Sequence, residues 1–578
     1  MDRSDVCLTL CIVTSIKRSG TEISQLEAEQ LTEYSVLIGG KAGDGIAQAG
    51  QLIASIFSEL GYYVYQYIDY PSLIRGGHNF CIIRAAEKPV FTHRTGVDLI
   101  LALDQKTADL HTHNLTTQGT VIYDSPKVKA EGQALAIDEI LTQYKGRSIM
   151  GNTAMVAGFC GCAGIPWNLV ESVFRKKLLK ETDLNLLIAR EAYSRITRCI
   201  NVQPVKGASP RPLLSGNEWI GLGLLAGGID AYIAYPMTPS SGVLHFLASV
   251  ADEAGIDVVH PESEIAVILM ALGFAYAGKK AAVGTSGGGF CLMTEGLSLS
   301  GMAEVPIVII LSQRGGPSTG LPTYTAQSDL LFACHAGQGE FSRFIAAPAT
   351  PNEAFRWAAE AVHLSWKLQI PAFILSDKTF SEGIYTPETE PEVRATVPLP
   401  APAYPYKRYA DTPDGISPIL VPPCSGEVVK VNSYMHDYSG ITSEDPEMTV
   451  AMVQKRLRKA EKLAAMTDQP GAVVCGGTPK AKIAILCWGS PRGVCSEVAE
   501  ELGIRLVSPV VLSPFPAGEF RKAMQGVEKV VLVEDSSTGQ LDKILAREGY
   551  RTDELILRYD GRPFAVEELL ERVRRVAS

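Results

Sequence analysis

Val258-Val-His-Pro-Glu-Ser-Glu264 runs directly into Ile265-Ala-Val-Ile-Leu-Met-Ala-Leu-Gly-Phe-Ala-Tyr-Ala277, and this junction decides what kind of chain is encoded. The first segment is a short strand that ends at a proline. The second is long enough for a helix and is apolar nearly all round. Such a helix must be buried on all sides, in a core or an interface. Glu264 falls in its first turn, where a carboxylate is favoured by the helix dipole as an ordinary cap. The same position suits a buried acid delivered to a cofactor at the end of a strand. The spacing alone leaves both readings open.

Outward from this junction, strands are predicted at Ala231–Ala234, Asp257–Val259, Ala281–Gly284, Val305–Leu311 and Ala372–Leu375, with helical stretches between them. The alternation makes residues 215–387 an α/β module. Three further segments leave strand ends. Tyr235-Pro-Met-Thr-Pro-Ser-Ser241 brackets Thr238 with prolines, which fix φ and aim the hydroxyl; an ordinary turn with capping serines has the same composition. Gly284-Thr-Ser-Gly-Gly-Gly-Phe290 lets backbone approach a ligand closely. Leu311-Ser-Gln-Arg-Gly-Gly-Pro-Ser-Thr-Gly-Leu-Pro322 carries Arg314, whose guanidinium can clamp a carboxylate with two parallel hydrogen bonds. Ligands in open α/β sheets sit at the carboxyl ends of strands, so all four segments should converge.

Before this module, Ser35-Val-Leu-Ile38 reads as a strand and Gly39-Gly-Lys-Ala-Gly-Asp-Gly45 as a glycine-rich turn. Ile46, Ala49, Ile53, Phe57 and Leu60 then recur at helical spacing. Further strands at 62–68, 80–84, 99–103 and 120–123 make residues 33–205 a second α/β module, closed by a proline-containing linker at 203–212. Residues 1–32 read as an N-terminal extension. After residue 387 comes a proline-rich, semi-rigid connector, then a basic helical segment, together 388–470. A last α/β module follows over 471–578, with strands at 483–487 and 530–534.

The 578 residues are too many for one core, and the composition, 46% apolar and 20% charged, is that of an ordinary globular protein. A net charge of −10 argues against nucleic acid, because phosphate binding needs clustered Lys and Arg. The run Lys455-Arg-Leu-Arg-Lys459 reads as a solvated helix face, with a docking patch for an acidic carrier as the alternative. No apolar run reaches the roughly 20 residues that span a bilayer. Val6–Ile16 is apolar, but Asp2 and Asp5 spoil a basic leader, so a cytoplasmic protein is expected. The 12 cysteines are scattered, as expected of reduced thiols, and Cys160 and Cys162 read as packing residues. No C-x2-C pair occurs, so neither a zinc ribbon nor an iron–sulfur cluster is predicted in this chain.

The four segments, in this order, resemble the pyrimidine-binding domain of 2-oxoacid:ferredoxin oxidoreductases. That family shows Y-P-[IM]-T-P-S-S, E-x-E-[IA]-A, T-S-G-P-G-F and [QR]-R-x-G-P-S-T-G-x-P-T. The first module is similar to the family's gamma-type part, through Tyr70-Pro-Ser-x-x-Arg-Gly-Gly-His-Asn79 and Val97-Asp-Leu-Ile-Leu-Ala. Val531-Leu-Val-Glu-Asp-Ser-Ser-Thr-Gly-Gln540 resembles its transketolase-like C-terminal domain. The resemblance therefore covers nearly everything after residue 33, with the gamma-like part ahead of the alpha-like part in one chain. It implies a multidomain α/β fold: a gamma-type domain, a thiamine-diphosphate-binding domain of the pyrimidine type and a transketolase C-terminal-like domain.

On this resemblance the thiamine-activating glutamate falls on Glu264. Pro236 and Thr238 fall on the cofactor turn, and Thr238 and Arg314 on the substrate contacts. Gly288 stands where proline is usual. Tyr324 and Ala326 stand where a basic residue and a glutamate are common, which bears on the choice of oxoacid. The implied activity is coenzyme-A-dependent oxidative decarboxylation of a 2-oxoacid to acyl-CoA and CO2, with ferredoxin as acceptor. Substrate 2-oxoglutarate is favoured over pyruvate and branched or aromatic oxoacids. Gly43-Asp44-Gly45 resembles the start of the pyrophosphate motif, but Asn79 lies too far along to complete it. The turn is either a tight strand-to-helix connection or a cradle for a phosphate of coenzyme A. Lacking a pyrophosphate motif and cluster cysteines, the chain is expected to need a beta subunit that brings Mg2+ and a [4Fe-4S] cluster, in an (αβ)2 assembly. The readings that compete are a thiamine-dependent decarboxylase without an electron acceptor, and a non-catalytic assembly subunit.

Overall fold

The computed structural model describes residues 32–72, 77–392, 402 and 404–577. The N-terminal extension, apart from Thr32, lies outside the described residues, as do most of the proline run at 398–403 and part of the Tyr70–Asn79 motif. Three sheets organise the rest.

The first sheet has eight strands. Glu33–Lys41 lies at its centre, antiparallel to His78–Ala86 and parallel to Val97–Ala102. Ile46–Glu59 packs its apolar stripe on one face through Ile46, Ala49, Ile53 and Phe57, as the spacing requires. Two strands come from residues beyond this module. Leu214–Ser215 and Ile384–Tyr385 extend the sheet, with Tyr385 opposite Tyr65. Thr386 completes the edge: its Oγ1 accepts from Val64 N–H at 2.9 Å. The added strands satisfy backbone groups that an open edge would leave unpaired. The stretch at 203–212 lies against the same module: Ser58 Oγ donates to Arg211 O at 2.6 Å and Arg211 Nη1 to Gly61 O at 2.6 Å.

The second sheet holds β1 (Ala231–Ala234), β2 (Asp257–Val259), β3 (Ala281–Thr285), β4 (Ile307–Gln313), β5 (Phe344–Ala346) and β6 (Pro371–Asp377). Their spatial order is β5-β6-β4-β3-β1-β2, all parallel. Val511–Ser513 from the C-terminal module adds an antiparallel strand beside β5. β4 and β6 are buried along their whole length, which is why they read as unbroken apolar runs instead of alternating ones. Helices α1 (Gly216–Ala226), α2 (Ser241–Ala254), α3 (Glu264–Tyr276), α4 (Gly287–Ala303) and α5 (Leu330–His335) connect or cover the strands. The third sheet has five strands, including Ile483–Leu486 and Lys529–Glu534, and an antiparallel edge at Val473–Gly477.

Two expectations change. α6 (Pro446–Thr467) carries the basic run, but Lys455 and Lys459 are buried, not solvated: both reach the buried carboxylate of Glu304. Charge alone misleads here because the partner lies 151 residues away from Lys455. Cys162 is disulfide-bonded to Cys199, where reduced thiols were expected, while Cys160 remains a buried free thiol. α3, expected to be buried in a core or an interface, is covered by this chain on one side: Val267, Ile268 and Ala271 are buried, whereas Ile265, Leu269 and Met270 are about half exposed.

Candidate active site

The four chemistry-bearing segments leave the carboxyl ends of β1, β2, β3 and β4 and meet at one edge of the second sheet. Glu264 is the first residue of α3. Ser263 caps the helix, its Oγ accepting from Ala266 N–H at 3.4 Å. Glu264 itself therefore does not cap, and its carboxylate is free to turn inward. It is 5% exposed, and no hydrogen bond to it is made among the described residues. It lies against the first turn of α4. A Cβ on Gly289 would stand 2.6 Å from Glu264 Oε1, so any side chain there would displace the acid. At Gly288, where the sequence departs from a proline, a Cβ would make only an ordinary contact, 3.7 Å from Ser318 O. Ser286 precedes α4 without a side-chain cap, and its buried hydroxyl is unpartnered, as is that of Tyr232 on β1.

The Tyr235–Ser241 turn is fixed from behind. Asn217 on α1 donates to Pro239 O at 2.9 Å, and Ser240 Oγ to Met237 O at 2.9 Å. Pro236 lies exposed at the start of the turn and Thr238 half-buried at its middle. Arg314 reaches across from the end of β4, and its Nη1 donates to Thr238 O at 2.9 Å. The structure thus brings Thr238 and Arg314 together through the threonine carbonyl and leaves the hydroxyl free of both. Burial lowers the Arg314 pKa, with the Asp329 charge pulling it back up. No hydrogen bond joins Glu264 to either residue; what they share is the carboxyl edge of the second sheet.

Sequence reasoning missed Asn217, Gln313, Gln327 and Asp329. A lone amide or acid in a helix or loop carries no periodicity or spacing signal. Only its contacts reveal what it holds. Among the described residues no group of three His, Cys, Asp or Glu side chains could hold a metal ion, and no helix is long and apolar enough to cross a membrane.

Comparison with known proteins shows the family. The sequence model described as "Pyruvate flavodoxin/ferredoxin oxidoreductase, thiamine diP-bdg" matches residues 223–455. That described as "Pyruvate ferredoxin/flavodoxin oxidoreductase" matches residues 35–195. The 2-oxoacid:ferredoxin oxidoreductase subunit alpha of Sulfolobus sp is 30% identical, covering 94% of this chain and 96% of its own. The 2-oxoglutarate oxidoreductase subunit KorA of Mycobacterium tuberculosis is 32% identical over 62% of this chain and 56% of its own. Among solved structures, the 2-oxoglutarate:ferredoxin oxidoreductase from Magnetococcus marinus, with 2-oxoglutarate, coenzyme A and succinyl-CoA bound, superposes with a TM-score of 0.86. It is 26% identical and covers 94% of this chain and 100% of its own.

Proposed function

The chain belongs to the 2-oxoacid:ferredoxin oxidoreductase family as an alpha-type subunit, and from that premise we propose that it converts a 2-oxoacid, coenzyme A and oxidised ferredoxin to acyl-CoA, CO2 and reduced ferredoxin. The observation that carries this reading is the buried, unpartnered carboxylate of Glu264 against the glycine turn, with the Arg314–Thr238 pair on the same sheet edge. A carboxylate on a largely buried side chain that receives no donor from the chain is open to a ligand that supplies one. An aminopyrimidine ring nitrogen is such a ligand, and the residues present fit it.

Thiamine diphosphate, when bound, supplies the nucleophilic carbon that attacks the 2-oxo group and the electron sink for decarboxylation. Glu264 would share a proton with the ring nitrogen, held in place by Ser263 behind it and Gly289 in front. Arg314, anchored to the Thr238 carbonyl, would pair with the oxoacid carboxylate. The Thr238 hydroxyl and the Pro236 end of the turn would border cofactor and substrate. Pre-positioning of this kind accounts for large parts of an enzymatic barrier. Substrate 2-oxoglutarate is favoured, because the Mycobacterium relative and the Magnetococcus structure are named for it. The protein would work in the cytoplasm.

The chain needs a beta subunit, which would bring Mg2+ and a [4Fe-4S] cluster and complete an (αβ)2 assembly that passes electrons to ferredoxin. The apolar face of α3 and α4 supports this. Ile265, Leu269 and Met270, with Leu292 of α4, are each 44–50% exposed beside Glu264, and a contiguous apolar patch of this kind marks an interface. Leu269→Asp combined with Met270→Lys is expected to abolish copurification with the beta subunit while the melting of the chain itself is unchanged. Retained copurification would place the partner elsewhere.

In the first module, Gly43 and Gly45 have φ of 100° and 72°, and Asp44 Oδ2 accepts from Lys41 N–H at 2.8 Å. The turn's own geometry accounts for its glycines. A cavity of about 270 Å³ beside it, lined by Ile46, Ala47, Tyr70 and Asn79 among others, is the alternative place for part of coenzyme A. Gly43→Ala should leave the KM for coenzyme A unchanged; a rise would assign a phosphate to the loop.

The test of the function is anaerobic, coenzyme-A-dependent viologen reduction by the copurified complex across a panel of 2-oxoacids. Activity with one acid supports the reaction and names the substrate. Silence from a complex that holds thiamine diphosphate and iron overturns it in favour of the non-catalytic subunit.

A further inference from the structure

The lysines of α6 bring more positive charge into the fold than Glu304 can balance. Lys455 Nζ donates to Glu304 Oε1 at 2.8 Å and to Oε2 at 2.9 Å, and Lys459 Nζ is bonded to the same Oε2. Arg408 enters beside them from the connector. Its Nη1 donates to Gln369 Oε1 at 2.6 Å and its Nη2 to the carbonyl oxygens of Ala303 and Glu304, none of which carries a charge. All four side chains, the three cations and Glu304, are buried. Three cations therefore meet one carboxylate. Of the acids next along these segments, Glu340 and Glu461 are exposed, and Asp411 pairs with Arg458. Burial brings Lys459 down to about 8, so at neutral pH it still mostly holds its proton.

The surplus charge borders a cavity of about 10 Å³ between the last turn of α4, the start of β6 and α6. Arg456 and Lys459 line one side of it, three residues apart and so neighbours on the surface of α6. Arg456 Nη1 is buried and has no hydrogen-bond acceptor among the described residues. Ser342 adds a hydroxyl that can donate. Phe341 supplies an apolar wall, which Gly301 admits: a Cβ there would stand 2.5 Å from the ring's Cγ. No acid lines the space. Gln369 at its rim uses its side-chain oxygen on Arg408 and its amide on Ser417 O. A buried guanidinium N–H without an acceptor and a surplus of buried positive charge are both costly. A water molecule would answer the first and leave the second. One small anion answers both. A space of this size takes a single small species and has no room for a phosphate or an organic acid.

We propose that this cavity is a binding site for a small inorganic anion of the halide class, such as chloride, held between Arg456 and Lys459 and supplying the negative charge that Glu304 alone does not. The anion joins α4, β6 and α6 and is structural: it stabilises the folded chain. The site lies at the opposite end of α4 from Glu264 and takes no part in the proposed reaction.

Bromide replaces chloride in a site of this kind and is located by its anomalous scattering. Crystals of the full chain grown in sodium bromide should show an anomalous peak between Arg456 and Lys459. A cavity that holds only water under those conditions overturns the proposal. In solution, the melting temperature of the full chain is followed against sodium chloride, with sodium gluconate, an anion too large for the cavity, keeping the ionic strength constant. Above the dissociation constant each tenfold rise in chloride should raise the wild type by roughly 2 °C or more, because only the folded state binds. Arg456→Gln should lose most of that slope. Arg456 is half-buried and pairs with no carboxylate, so the variant keeps the fold, and slopes are compared instead of absolute temperatures. Equal slopes in wild type and variant overturn the proposal, and a bromide peak alongside equal slopes marks an adventitious ion only. Sodium sulfate in place of chloride should shift wild type and variant alike. A sulfate slope that Arg456→Gln removes would overturn the halide class in favour of a larger oxyanion.

Discussion

Glu264→Gln in the copurified complex is expected to reduce oxoacid-dependent viologen reduction by at least about tenfold, and towards the roughly 10²-fold typical of a lost acid–base group. The substitution preserves volume, so Gly289 still accommodates the side chain, and Ser263 still caps α3. What is lost is the ability to carry a negative charge and exchange a proton with the ring nitrogen. The change should appear in kcat, with thiamine diphosphate and iron contents unaltered. A near-normal rate with cofactors bound would turn Glu264 back into a structural acid and favour the non-catalytic reading of the chain.

Glu304→Gln is expected to destabilise the chain by roughly 3–5 kcal/mol, the cost of breaking a buried ion pair from one side. Glu304 follows α4 with φ of 51°, and its carboxylate receives Lys455 Nζ at 2.8 Å and is also bonded by Lys459 Nζ. Arg408 and Tyr409 close the end of the same helix: Arg408 Nη2 donates to Glu304 O at 2.6 Å and Tyr409 Oη to Ala303 O at 3.2 Å. Burial would raise the Glu304 pKa, but the cations of Lys459, Lys455 and Arg408 outweigh it and hold the group well below the usual carboxylate range. The stabilisation is present above the unfolded pKa of a glutamate and is lost as pH falls through the lower folded value. Burial already brings Lys459 down to about 8 with its partner present. In the Gln variant both lysines must shed protons or stay charged and unpaired, so the deficit should shrink as pH rises through about 8. Urea unfolding of wild type and variant at pH 5, 7 and 9 checks both the size and the sign. An unchanged midpoint would show that the cluster contributes nothing net.

Together these predictions separate two roles for one helix. The first turn of α4 meets the acids of the candidate site, and its last turn is tied to α6 and to the connector. The body of α4 separates the two ends, so a fault in the Glu304 cluster should lower stability without altering kcat of the assembled complex.

Much of this arrangement was legible in the residues. The strands Ala231–Ala234 and Asp257–Val259 and the start of α3 at Glu264 follow from apolar periodicity broken by proline and glycine, which are local signals. The convergence of the four loops follows from one topological rule: parallel strands joined by helices put all their carboxyl ends on the same edge. The tertiary structure alone decided what could not be coded locally. Lys455 and Lys459 look like surface residues until Glu304 meets them from another module. Asn217, Gln313 and Gln327 acquire a role only through carbonyls and amides brought in by distant strands. Asp329 meets Gly287 only because the C-terminal module holds its limb there. Periodicity records how each element faces the core. It carries no record of which buried charges meet, because that pairing is fixed by the packing of whole sheets against one another.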